Sequence, residues 1–378
     1  MSGLRIGVVG LGFGTAFLPL YLSHPDVHGV AICDADPTVL GAVGDQHAIE
    51  DRFDTLEAML ADDTIDAVHI ATPVRFHVEH SVAVLNAGKH CACAVPMATD
   101  FEGLRRIIGA QRSSGRNYMM METMVFGREF FYVRDLYERG ELGPLSFLRG
   151  MHIQNLDNFP RYWYGYPPLT YSTHALSPLL ALSGARVVRA TALGSGRLTP
   201  DRMGDFPNTF PTESALFRLD RDDLAAEVTV SFFQFGRAYQ EGFHVYGQDA
   251  GVEWPQTHEG DDLSVFRLEP VRGGHWGRSA RMERVQPPDR ADLLPAELAP
   301  FTHRHEWTPP GVREPITVHS GHSGSHPHLV HEFVSSIVRH RRPLVDAVTA
   351  AAWTAPGIAG HASALHNGDA VEVPDFGA

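Results

Sequence analysis

The chain has 378 residues, 43% of them hydrophobic, enough to bury two cores. Its 45 acidic residues against 31 basic ones give a formal charge of −14, with no basic run beyond Arg339–Arg342, which argues against nucleic acid or an anionic membrane as partner. No apolar stretch is long enough to span a bilayer, no export signal is seen, and Cys33, Cys91 and Cys93 are too few for a disulfide framework, so the expected setting is a reduced cytoplasm.

From residue 4 to about 121, short apolar runs alternate with helical patterns: "LRIGVVG", "HGVAIC", "AVHIAT", "KHCACAV" and "NYMMM" read as strands of a parallel sheet covered on both faces. Asp54 with Glu57, and Thr99 with Glu102, have the spacing of helix-capping boxes. Beyond residue 122 the texture changes. "LSFLRGMHIQN" reads as a strand, "FPRYWYGYPPLTYSTH" as an aromatic, Pro-rich loop, and a helix is expected from Ala175. "ESALFRLD", "AAEVTVSFFQF" and "EGFHVYG" alternate as antiparallel strands do, and helices close the chain from Pro327, with Ser325 the expected cap. The reading is an α/β dinucleotide-binding domain, residues 1–122, followed by an α+β substrate and oligomerisation domain, residues 123–378, with a largely antiparallel open sheet.

"VVGLGFGTAF" places Gly10, Gly12, Phe13 and Gly14 between the first strand and a helix. Glycines there permit a tight turn and let backbone approach a pyrophosphate, while a helix start offers free N–H groups. Thr15 holds the third position of G-x-G-x-x-G, and Gly14 comes one residue earlier. Asp34 ends the second strand, where an acid accepts from a ribose 2′-hydroxyl and repels a 2′-phosphate; this favours NAD, the alternative being a simple turn residue. Thr72, Pro73 and His77 follow the fourth strand at the edge where ligands gather, either lining the cofactor or only setting the turn, with His77 half exposed.

The glycine loop, Thr72-Pro73 with His77, Gly88-Lys89-His90 with Pro96, and Thr173-His174 before a helix occur in an order that resembles the Gfo/Idh/MocA oxidoreductases. The resemblance implies a Rossmann domain, an α+β domain whose sheet mediates homo-oligomerisation as a dimer or tetramer, NAD as cofactor, and a carbohydrate or polyol substrate. In that family Gly-Lys-His leads into Glu-Lys-Pro, whose lysine assists proton transfer, and an Asp-x-x-x-His supplies the acid/base histidine. Here these stretches read Ala94-Val95-Pro96 and Thr170-Tyr171-Ser172-Thr173-His174. Val95 and Pro96 keep the cofactor-side turn without the charge, and only the histidine matches.

Oxidising a secondary alcohol needs a hydride acceptor and a base within reach of the hydroxyl. His174 is the candidate acid/base, with Tyr171 assisting if the segment turns helically. Tyr162, Trp163 and Tyr164 could wall a sugar site or merely cap the core. His152, Gln154 and Asp157 leave the strand "RGMHIQNLD", with His152 and Gln154 sharing a face. Glu122 is either a polar group on the ligand edge or a surface-turn carboxylate, and His328 either reaches the substrate or is an exposed first-turn residue. The histidines of "HSGHSGSHPHLVHEF" lack a metal-binding spacing, and no metal is expected. The expectation is an NAD-dependent oxidoreductase acting on a secondary hydroxyl of a sugar, sugar derivative or cyclitol. Its rivals are an NAD-tethered glycosidase or lyase working by transient oxidation, and an inactive NAD-binding sensor.

Overall fold

The computed structural model describes residues 3–256, 262–271 and 276–377. The chain forms two compact units. The first runs through Phe126 and takes in Asp289–Ala351 and the last residues from Phe376; the second is Gly127–Pro288 with Ala352–Asp375. A single boundary after residue 122 therefore does not describe the packing, because Asp289–Ala351 belongs with the first unit.

The first unit is built on six parallel strands: β1 (Leu4–Val9), β2 (Val27–Cys33), β3 (Arg52–Phe53), β4 (Ala67–Ile70), β5 (His90–Cys93) and β6 (Tyr118–Met120), in the order β3-β2-β1-β4-β5-β6. Ile6, Val8, Val68 and Ile70 are fully buried, as expected of a sheet covered on both faces. The edge strand β3 has too few residues to show a period in sequence. Two helix starts fall one residue later than their expected caps. Thr55, not Asp54, accepts from the Ala58 N–H, and Asp100, not Thr99, accepts from the Gly103 N–H at 2.7 Å. Helix Ser325–Val338 is likewise preceded by Gly324 (φ 80°), so Ser325 is its first residue and not its cap.

The second unit holds a nine-stranded sheet: β7 (Leu145–Gln154), β8 (Val187–Ser195), β9 (Thr212–Leu219), β10 (Ala225–Ser231), β11 (Tyr239–Gly247), β12 (Ala250–Pro255), β13 (Leu263–Leu268), β14 (Ala280–Val285) and a last short strand, Val371–Glu372. The order is β14-β13-β12-β11-β7-β10-β9-β8 and then Val371–Glu372, with only the β7–β10 pair parallel. Helix Thr173–Ser183 lies on β7 at Gly150, where any Cβ would strike the Ala175 carbonyl. Glycine there brings His174, the residue before Ala175, down onto the strand that carries His152. The turn Pro168–Tyr171 that leads into this helix is pinned from below: buried Glu213 accepts from the Leu169 N–H at 2.9 Å and pairs with His361 Nδ1 at 2.7 Å.

Candidate active site

In the first unit, Gly10 turns the chain at φ 87°, and a Cβ on it would lie 2.7 Å from the Ala71 carbonyl. Gly14 supplies the close helix–strand approach: its Cβ would lie 2.8 Å from Val8, so Thr15 in the usual third-glycine position is no obstacle. Gly12 is exposed and Phe13 is 44% exposed at the helix start. Asp34 is fixed at the tip of β2, its Oδ2 accepting from the Leu11 N–H at 2.8 Å and its Oδ1 from the Asp36 N–H at 2.9 Å. Each oxygen keeps a lone pair for a ribose hydroxyl, and the loop presents uncovered backbone, so these residues fit NAD.

Thr72 and Pro73 are half-buried after β4, with Thr72 Oγ1 3.1 Å from His80 Nδ1. Val95 and Pro96 are buried after β5. His77 is not half exposed but 1% exposed, held by the carbonyls of Thr72 and Pro96. Glu122 is no surface-turn carboxylate: it is fully buried, with Oε1 accepting from the Met124 N–H at 3.0 Å. His328 is buried rather than an exposed first-turn residue; its Nε2 lies 3.3 Å from the Asp289 carbonyl, and burial pushes its pKa down to about 4. Lys89 is the one lysine of the sequence. It is buried near the start of β5 and donates to the carbonyls of Asp62 and Ile65 at 2.8 and 2.9 Å. No other lysine exists to take over the position now held by Val95. Among the described residues, no group of three or more His, Cys, Asp or Glu side chains could hold a metal ion, and no helix is long and apolar enough to cross a membrane.

In the second unit, His152, Tyr171 and His174 come together. The segment turns helically from Pro168 into helix Thr173–Ser183, which sets the Tyr171 and His174 rings 5.3 Å apart. His152 lies 5.2 Å from His174 and 5.7 Å from Tyr171, ring to ring. The group that sequence reasoning missed is Glu241. It sits opposite His152 in the β7–β11 register and is 1% exposed, with Oε1 3.3 Å from His152 Nδ1 and 3.8 Å from His174 Nδ1. A buried carboxylate between two imidazoles gives a counter-charge to a proton gained by either. The available signal was an acid at an inward position of the alternating segment "YQEGFHVYG".

Trp163 joins this cluster, packing edge-on against Tyr171 at 5.3 Å, and Phe232 and Tyr239 stand edge-on to His152. Tyr162 packs on Trp163, whereas Tyr164 lies against Phe233 with the Arg161 guanidinium over its ring. Gln154 is only half-buried, opposite Tyr239, while its strand neighbour His152 is fully inside. Asp157 is held by Arg202 through two oxygens at 2.8 and 3.0 Å, and this pairing lowers its pKa. The carboxylate is thus engaged in shaping its own loop.

Residues 4–122 match the Gfo/Idh/MocA family, described as an oxidoreductase family with an NAD-binding Rossmann fold. A Glycosyl hydrolase family 109 protein of Streptomyces niveus is 24% identical over 403 aligned positions, covering 99% of this chain and 78% of that protein. Inositol 2-dehydrogenase of Corynebacterium glutamicum is 30% identical over 190 residues, covering 50% of this chain and 56% of that enzyme. The structure of levoglucosan dehydrogenase with NADH and levoglucosan superposes with a TM-score of 0.77 at 20% identity, covering 99% of this chain and 100% of that one. With the glycine loop, Asp34 and the six-stranded parallel sheet all in place, residues 4–122 form an NAD-binding Rossmann domain similar to that of the Gfo/Idh/MocA oxidoreductases.

Proposed function

We propose that the protein transfers hydrogen between NAD and a secondary hydroxyl of a sugar, sugar derivative or cyclitol, with His174 as acid/base and Tyr171 assisting. The observation that carries this reading is the constellation of buried His174, His152 and Glu241 with half-buried Tyr171, walled by aromatic rings. NAD, when bound, supplies the hydride acceptor or donor. His174 takes the hydroxyl proton as the carbon is oxidised, or returns it in the reverse direction. Tyr171 hydrogen-bonds the substrate oxygen, and Glu241 offsets the charge that the imidazole gains. Trp163 supplies an apolar face suited to a sugar ring. Replacing His174 by Ala should lower kcat about 100- to 10,000-fold on whichever polyol is turned over. The Kd for NAD should stay within about twofold, since the lost interaction belongs to the reacting oxygen. Undiminished turnover in His174→Ala would remove the assignment.

A second reading is favoured by the family 109 relatives, which span nearly the whole chain. In it the same proton removal begins a redox-neutral cleavage: oxidation at one sugar carbon to the ketone acidifies its neighbour, and loss of that neighbour's proton expels the glycosidic group. Water adds across the resulting double bond and returns a solvent proton to the neighbour, and the ketone is reduced again by the NADH formed in the first step. NADH then fails to accumulate, and turnover in deuterated water labels the neighbouring carbon. Stoichiometric NADH without label selects the dehydrogenase.

A further inference from the structure

His77 opens helix His77–Asn86, which follows β4, and its ring lies between two turns at the C-terminal ends of adjacent parallel strands. Nε2 is 2.8 Å from the carbonyl oxygen of Thr72, after β4, and Nδ1 is 2.8 Å from that of Pro96, after β5. A carbonyl oxygen carries no proton, so each contact is a hydrogen bond only if the facing nitrogen donates. A neutral imidazole has one N–H; with that ring, one of the carbonyls would face a lone pair in a site that is 1% exposed. Both bonds exist together only in the imidazolium. The titratable groups beside the ring are the Cys93 thiol from β5 and His80 one turn along its own helix, with Glu57 and Glu79 next to His80. Burial alone would push the His77 pKa down, but Cys93 and the two carbonyls outweigh it and hold the ring up at about 9.

We propose that His77 is a positioning residue of the cofactor site: a fixed imidazolium that ties the Thr72–Pro73 turn to the Val95–Pro96 turn, so that NAD affinity depends on its second proton. These turns lie at the strand ends where a dinucleotide docks in such a sheet, and a main chain held at two carbonyls cannot drift apart there. Loss of one proton releases one carbonyl and lets the two turns move independently. The inference concerns NAD binding alone and holds whichever reaction the second unit performs.

The test uses the full-length protein, with NAD itself as probe. Nitrogen-15 spectra of histidine-labelled protein report the protonation of both ring nitrogens, while calorimetry gives the NAD Kd from about pH 6 to about pH 10. At neutral pH both His77 nitrogens carry protons, and the Kd rises about tenfold as the ring loses its second proton. His77→Gln binds NAD about tenfold more weakly at neutral pH and lacks that alkaline rise. A singly protonated ring at neutral pH overturns the proposal. So does a Kd that stays flat through the ring's titration, or a variant that keeps both the affinity and the pH dependence of the wild type. The spectra need only wild-type protein, so a variant that fails to fold still leaves the question decided.

Discussion

Val95 lies just beyond β5, where the resemblance drawn from the sequence would place a lysine, and Lys89 is bound to two carbonyls. Proton transfer in the proposed reaction is therefore assigned to imidazole. Glu241 then has a measurable part, for its carboxylate steadies the charged form of His152 and His174 from 3.3 and 3.8 Å. Glu241→Gln keeps the shape and removes the charge. It should lower kcat about 10- to 100-fold and move the limb of the pH–rate profile governed by the base to lower pH, because an imidazolium without its counter-charge gives up its proton more easily. Glu241→Asp should restore part of the loss; an unmoved pH profile in Glu241→Gln would show that the carboxylate serves packing alone. His174 was legible in sequence because it follows Thr173 at the head of a helix. Glu241 was not, because it meets His152 only across the β7–β11 register. His77 was visible as a polar residue near the cofactor turns, but the two carbonyls that decide its charge belong to main chain and leave no mark on residue type.

At the scale of elements, the approach of helix Thr173–Ser183 to β7 sets the site's geometry. Gly150 permits it, and the Glu213–His361 pair steadies the turn that feeds the helix. A methyl group at 150 must push Ala175 away and carry His174 with it. Gly150→Ala should therefore cost about 1–3 kcal/mol of stability by overpacking and lower kcat roughly 100-fold through misplacement of the base, with NAD affinity unchanged. Thermal unfolding, turnover and NAD titration of one preparation check all three, and wild-type turnover would show that the helix accommodates the methyl. Alternation and period made the two sheets legible, and the glycine loop marked where the first begins. Helix starts were misplaced by one residue at Thr55 and Asp100, since neighbouring Asp and Thr offer equally good caps and only backbone angles choose between them. The return of Asp289–Ala351 to the first unit was hidden for another reason: no local pattern reports which core a late helix such as Ser325–Val338 will cover.

For the molecule as a whole, buried histidines shape stability against pH from both sides. Burial lowers His24, His90 and His328 to about 4 and His69 to about 3. Below about pH 6.5 the unfolded chain takes up protons that these folded rings refuse, so stability falls until the folded rings also titrate near pH 4. His77 acts with the opposite sign: its contribution is complete below about pH 6.5 and is lost as pH rises through about 9. Each ring is worth on the order of 3–5 kcal/mol at most. Urea midpoints measured across this range should therefore peak near pH 6.5, and His77→Gln should flatten the alkaline limb while leaving the acid limb as it was. A level plateau between about pH 5 and about pH 9 would contradict the assignment of these charges.

Lys89 has a last consequence. Because the sequence holds this one lysine, and its ammonium is locked against Asp62 and Ile65 at the foot of β5, every other basic side chain being arginine or histidine, amine-acylating reagents meet no ready lysine target on the folded surface. Acylation at Lys89 accordingly waits on local opening of the parallel sheet, and its rate is an intrinsic clock for that opening, read at one tryptic-resistant position without any engineered label.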